Sequence, residues 1–211
     1  MPDCRGSAPD ERLALAVQCL QAGGTVVYPT ETLYGLGVDA LDPTALERLL
    51  HLKVRESGKP ISVLVDGRDM LDAIAADISA EANELIERFW PGPLTLVFSA
   101  RPDLPAGLTA GSGSIGARVS SHPTARALTQ ALGRPLTAPS ANPAGRKPPV
   151  RIEEARAYFG DAVDFYLDDG PLPGEPASTV VDVRHGLRLL RAGAIDFDAV
   201  QRVMKTTDEY R

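Results

Sequence analysis

Apolar residues recur at helical spacing over residues 10–22, where Leu13, Ala16, Val17 and Leu20 share a face and Gly23-Gly24 stops the helix. The period then changes. Residues 25–28, TVVY, form a short apolar run that reads as a buried strand, and Pro29 ends its ladder because proline has no N–H to donate. Thr30, Glu31, Thr32 and Tyr34 are then expected to present polar groups at the strand's C-terminal end, with Gly35 and Gly37 allowing unusual backbone or close ligand approach. Asp42-Pro43 reads as an N-cap and first-turn proline of a helix that turns Leu46, Leu49 and Leu50 inward and runs towards Lys53 and Arg55. Further strands are expected at 61–65, 94–98, 115–119, 136–139, 163–167, 178–183 and 187–190, the last two as a hairpin. Helices are expected at 70–74, 79–89, 123–132, 152–159 and 196–204.

Helices and strands interleave without internal repeats, which predicts an α/β fold built on a mixed β-sheet. With 211 residues, one domain over 10–205 is expected, with polar tails at 1–9 and 206–211. A net charge of −6 argues against a surface that grips nucleic acid indiscriminately, while leaving room for a local basic site. Cys4 and Cys19 are too few for a disulfide framework. Asp3, Asp10 and Glu11 stand near the N-terminus with no apolar run, so the expectation is a cytoplasmic protein with no membrane partner.

Several motifs fail in context. GSGSIG at 111–116 matches the dinucleotide fingerprint, but a proline-rich loop precedes it and a strand follows, the wrong surroundings for a pyrophosphate-binding turn. There is no Walker A sequence and no GxSxG elbow. His51, His122 and His185 lie far apart in sequence, and no metal cage built from protein side chains is visible. Other groups remain open. Lys53, Arg55 and Lys59 are either a solvated helix end or donors for a polyphosphate. Arg118 interrupts an apolar strand, so it either pairs with a carboxylate at the edge of the core or clamps a substrate carboxylate. Ser140 and Asn142, in the loop SANPAGRKPP, and Ser178 have turn-forming and strand-starting readings as well as ligand-binding ones.

Seven stretches taken together resemble the YrdC/Sua5 family, in family order: PTETLYGLG (29–37), KVRESGKP (53–60), WPGPLT (90–95), ARV (117–119), PSAN (139–142), STVVD (178–182) and LLRAG (189–193). The resemblance implies a YrdC-like fold, a twisted mixed sheet flanked by helices around a concave cleft, in its short form without the extra C-terminal domain of longer Sua5-type proteins. It implies an enzyme, a nucleotidyltransferase that makes threonylcarbamoyl-AMP and pyrophosphate from L-threonine, bicarbonate and ATP for N6-threonylcarbamoyladenosine in tRNA. By the same resemblance Thr32, Arg118, Thr137 and Ser178 bind threonine, with Arg118 on its carboxylate. Lys53, Arg55, Lys59, Ser114, Ser140, Asn142 and Arg191 face ATP, accompanied by Mg2+. One departure stands out: longer relatives carry a histidine where this chain has Leu64 or Val65.

No covalent nucleophile is required by such chemistry. The threonine amine becomes a carbamate, a carbamate oxygen attacks the α-phosphorus, and Lys53, Arg55 and Arg118 act by positioning. The product would pass to a downstream threonylcarbamoyl transferase complex. Two other readings are an RNA-binding module of tRNA or rRNA maturation and a carbamoyltransferase-like domain. Against the first stand the net charge and the lack of an aromatic RNA-stacking motif. Against the second stands the lack of zinc-finger cysteines.

Overall fold

The computed structural model describes residues 9–54, 59–174 and 176–208. Within these described residues ten strands follow in chain order: β1 Val26–Pro29, β2 Tyr34–Gly37, β3 Val63–Leu64, β4 Ala75–Ala76, β5 Leu94–Ala100, β6 Ser114–Arg118, β7 Leu136–Thr137, β8 Phe165–Tyr166, β9 Thr179–Asp182 and β10 Arg188–Arg191. Among the same described residues eight α-helices surround them: α1 Pro9–Gln21, α2 Pro43–Lys53, α3 Arg68–Asp72, α4 Ala80–Phe89, α5 Ala106–Thr109, α6 Pro123–Leu132, α7 Ile152–Phe159 and α8 Phe197–Asp208. Their starts follow local chemistry. Asp42 accepts from Thr44 N and Ala45 N to cap α2, Ser79 accepts from Ala82 N to cap α4, and Pro123 opens α6.

The larger sheet runs β10-β9-β5-β6-β3-β7 and mixes parallel pairs (β9 with β5, β6 with β3) with antiparallel ones; β4 pairs with the far end of β5. The smaller sheet is β2-β1-β8. The two are stitched along residues 135–141. Thr137 N donates to Val38 O, Ala40 N to Pro135 O, Leu36 N to Pro139 O and Ala141 N to Tyr34 O, at 2.8–3.1 Å. Expected as one mixed sheet, the architecture is therefore a twisted surface with a seam at β7.

Period-two alternation decides what each strand face meets. On β5, β6 and β9 the side chains of Leu94, Leu96, Phe98, Ile115, Ala117 and Val181 are buried in the main apolar cluster with Leu46, Leu49, Leu71 and Leu85. Burying each large aliphatic contributes about 1.5–3 kcal/mol. A second cluster under α1 and α6 holds Leu20, Val26, Tyr28, Leu128 and Leu136. Val26 and Tyr28 belong to it while Val27 points into the first, so β1 is buried on both faces, which is why it reads as an unbroken apolar run.

Three expectations change. Pro29 does not take the chain out of the sheet: it pairs with Tyr34, and β1 and β2 form a hairpin around Thr30–Leu33. Tyr34, though along the cleft wall, is fully buried, and its hydroxyl is spent within the fold, donating to the Gly170 carbonyl at 2.7 Å. Gly35 and Gly37 serve a close approach, but of Tyr28: a Cβ at Gly37 would sit 2.8 Å from its ring.

Candidate active site

A cleft of about 830 Å³ lies on the sheet face opposite the main core. Its floor is the other half of the strand alternation: Thr95 and Val97 of β5, Ser114, Gly116 and Arg118 of β6, Ser178 and Val180 at β9. The site thus occupies a sheet face, not the crevice beyond the strand C-termini. Gly116 keeps that floor low; a Cβ there would meet the Thr95 methyl at 3.3 Å. Of GSGSIG, Gly111 and Gly113, at positive φ, belong to the turn into β6, and Ser114 to Gly116 are already strand, where a dinucleotide fingerprint would start a helix.

The wall formed by the hairpin loop is held by Thr30, whose hydroxyl donates to Leu33 O at 2.6 Å and accepts Leu33 N at 3.2 Å. Thr32, nearly buried, lines the cleft, and its carbonyl accepts Gly174 N at 2.9 Å. Opposite stands the second polar loop. Lys53, only 7% exposed, donates from Nζ to the carbonyls of Ser140 and Asn142, both at 2.6 Å, and accepts Ala144 N on its own carbonyl. The lysine that ends α2 therefore shapes the Ser140 loop as well as lining the cleft. Asn142 stands behind that loop: Nδ2 donates to Arg146 O at 2.7 Å, while Oδ1 is buried with no hydrogen-bond partner among the described residues.

The β9–β10 hairpin supplies the third wall. Arg191 donates from Nε and Nη2 to Ser178 O and from Nη2 to Ser178 Oγ at 2.9 Å, and Ser178 Oγ lies 3.1 Å from Thr95 Oγ1. Burial first, and the Arg118 charge second, push the Arg191 guanidinium below its usual pKa. Asp182 holds Arg184 through Nε at 2.9 Å and Nη2 at 2.8 Å; that pairing brings its carboxyl down to about 2. Arg118 pairs through Nη1 with Glu31 Oε1 at 2.5 Å.

The cleft thus brings together Thr32, Lys53, Lys59, Ser114, Arg118, Ser140, Ser178 and Arg191 of the residues expected from sequence. Arg55 lies outside the described residues. Thr137 is corrected: it is fully buried at the seam, its hydroxyl accepting Val38 N at 2.9 Å and donating to Leu36 O at 3.0 Å, and it does not reach the cleft. Leu64 and Val65, which stand where the resemblance leads one to expect a histidine, are core residues of opposite clusters, and neither lines the cleft. Thr95, Ser62 and Arg184 line the cleft unforeseen. The signal for Arg184 is its parity with Ser178 and Val180, which puts it on the cleft side of an extended chain. At the mouth, Val54 is 74% exposed and left-handed (φ 46°), a strained conformation for a β-branched residue; Leu190 is 47% exposed.

Lys53, Lys59, Arg118, Arg184 and Arg191 put five cations on the described lining, with no carboxylate among them. Among the described residues no group of three or more His, Cys, Asp or Glu side chains is placed to hold a metal ion, and no helix is long and apolar enough to cross a membrane.

Fold and cleft together define an α/β protein with a cationic sheet-face site sized for a nucleotide-scale anionic ligand. The chain belongs to the Sua5/YciO/YrdC family, whose model, described as "Telomere recombination", matches residues 18–193. A Mycobacterium tuberculosis relative provisionally named threonylcarbamoyl-AMP synthase is 37% identical over 206 residues, covering 96% of this chain and 94% of its own. The structure of Sua5 from Pyrococcus abyssi complexed with L-threonine is 33% identical with a TM-score of 0.87, over 91% of this chain and 57% of that one. This chain therefore spans little more than half of the Pyrococcus protein. Escherichia coli YciO is 27% identical with a TM-score of 0.80, over 90% of this chain and 93% of its own.

Proposed function

We propose that this protein is a threonylcarbamoyl-AMP synthase: L-threonine, bicarbonate and ATP give threonylcarbamoyl-AMP, pyrophosphate and water. The observation that carries the reading is one cleft in which Thr32, Arg118 and Ser178 stand with Lys53, Lys59, Ser114, Ser140 and Arg191. The family relatives bearing that name support it.

Arg118 receives the threonine carboxylate as a guanidinium–carboxylate pair, with Thr32 and Ser178 beside it. The threonine amine condenses with bicarbonate or CO2 to a carbamate. A carbamate oxygen then attacks the α-phosphorus, the bond to the bridging oxygen breaks, and pyrophosphate leaves. Lys59 and Arg191 offset the triphosphate charge, Ser140 and Ser114 offer hydroxyls to it, and Lys53 keeps the Ser140 loop in place. Val54 and Leu190 give the base an apolar mouth. Magnesium enters with ATP, held by phosphate oxygens, since hydroxyls and cations are poor company for a bare divalent ion. Aligning the reactants supplies on the order of 7–11 kcal/mol, so no protein nucleophile is needed. The product is a reactive mixed anhydride, to be handed to a downstream transferase complex that modifies tRNA.

Purified protein incubated with MgATP, bicarbonate and labelled L-threonine should yield a labelled adenylate and pyrophosphate only when threonine is present. Pyrophosphate release indifferent to threonine, or no release at all, would refute the reading. Tyr34 is the only aromatic residue on the described lining and is itself buried, so the cleft has no platform for stacking RNA bases.

A further inference from the structure

Glu31 lies behind the cleft wall, and both of its carboxylate oxygens are engaged. Oε1 accepts Nη1 of Arg118 at 2.5 Å, and Oε2 accepts the Ser120 hydroxyl. Ser120 Oγ in turn accepts the backbone N–H of His122, at the start of α6, at 3.2 Å. The Arg118 and Glu31 side chains are 7% and 12% exposed. Arg118 lines the cleft, whereas Glu31 and Ser120 do not.

Two physical consequences follow. A guanidinium is a planar fork of five N–H donors, so a carboxylate gripping one arm from behind fixes the plane in which the others are presented. Charge matters as much. Arg118 is near enough to Arg191 to oppose its ionisation, and no carboxylate of the described lining stands between them. Glu31 is the anion directly against Arg118, and it offsets that charge from outside the ligand space. With one oxygen on a guanidinium and the other on a hydroxyl, Glu31 is not arranged as a base for a ligand amine.

We propose that Glu31, braced by Ser120, is a positioning residue: it sets the Arg118 guanidinium plane that receives the substrate carboxylate. The proposal rests on threonine being the substrate, and its test separates the two ideas. Glu31→Gln keeps the shape of the side chain and removes its charge. L-Threonine binding, measured by calorimetry, and KM for threonine should weaken roughly tenfold or more, the scale of coupling between directly bonded groups. KM for ATP should hold. Discrimination between L-threonine and its carboxamide should shrink, because a misaligned guanidinium no longer favours the charged carboxyl. Ser120→Ala, which leaves the ion pair in place, should move the same quantities less and serves if Glu31→Gln folds poorly. Unchanged threonine affinity and carboxamide discrimination in both variants would overturn the positioning role, as would equal losses for threonine and ATP. A wild-type protein that neither binds nor consumes threonine would refute the parent reading instead, and this proposal with it.

Discussion

Thr137 shows how one hydroxyl can be misread and what it does instead. A threonine beside a polar loop invites a substrate role, yet its Oγ1 bridges Val38 N and Leu36 O across the join between the two sheets. Thr137→Val keeps the shape and orphans both buried backbone groups, so stability should fall by about 1–3 kcal/mol in chemical denaturation. Turnover per folded molecule should remain, which separates a seam residue from a ligand contact. Arg118 is the opposite case. An arginine inside an apolar strand signals a partner, and the sequence offered two candidates, a carboxylate of the fold or one of a substrate. Glu31 supplies the first, and the position of Arg118 on the cleft leaves the second to be met by a ligand.

Among the elements, those with a full period were legible. α6 and α7 have their expected bounds, α1, α2 and α4 fall within a residue or two of theirs, and β9–β10 is the hairpin read from residues 178–183 and 187–190. The short ones divide: β3, β7 and β8, two residues each, lie within the strands expected at 61–65, 136–139 and 163–167, while others left no period to read. β4 has two residues and α5 four, and neither was expected. The β1–β2 turn was missed for another reason: Pro29 is disqualified from donating, but its position opposite Tyr34 at the end of the hairpin asks for no donation. Arg118 was legible as a charge inside an apolar strand, and Ser114 and Ser178 only through the family resemblance; Thr95 and Val180, on the same sheet face, carry no signal of their own. The site was illegible where distant loops meet, as Lys53 does Ser140. The glycine of LLRAG has a plain cause. A Cβ on Gly193 would lie 2.3 Å from Ala177 O and 2.5 Å from Thr179 N. Gly193→Ala should therefore push the chain after β10 off Ser178, lowering the melting temperature and raising KM for both threonine and ATP. A variant with wild-type kinetics would show that this packing does not set the cleft.

At the scale of the molecule, charge is unevenly spent. The chain carries −6 overall, while the cleft has five cations and no carboxylate on its described lining. An acidic body discourages nonspecific polyanion binding, and the concave cationic wall focuses attraction on a compact ligand. KM for ATP should accordingly rise several-fold between low and high potassium chloride, with KM for threonine moving much less, because screening weakens a polyanion most. Equal responses would place the nucleotide elsewhere. The two-faced strands beneath the cleft carry a consequence for how this sequence can vary. On β5 and β6 every second side chain belongs to the ligand and every other to the core, so Arg118 and Ala117 differ only by the parity of their position. Substitutions there alter one face at a time. Adding or removing a single residue would exchange the faces, sending a guanidinium into the core and an alanine into the cleft. Descendants of this chain can be expected to gain and lose residues in their loops, while these two strands keep their length.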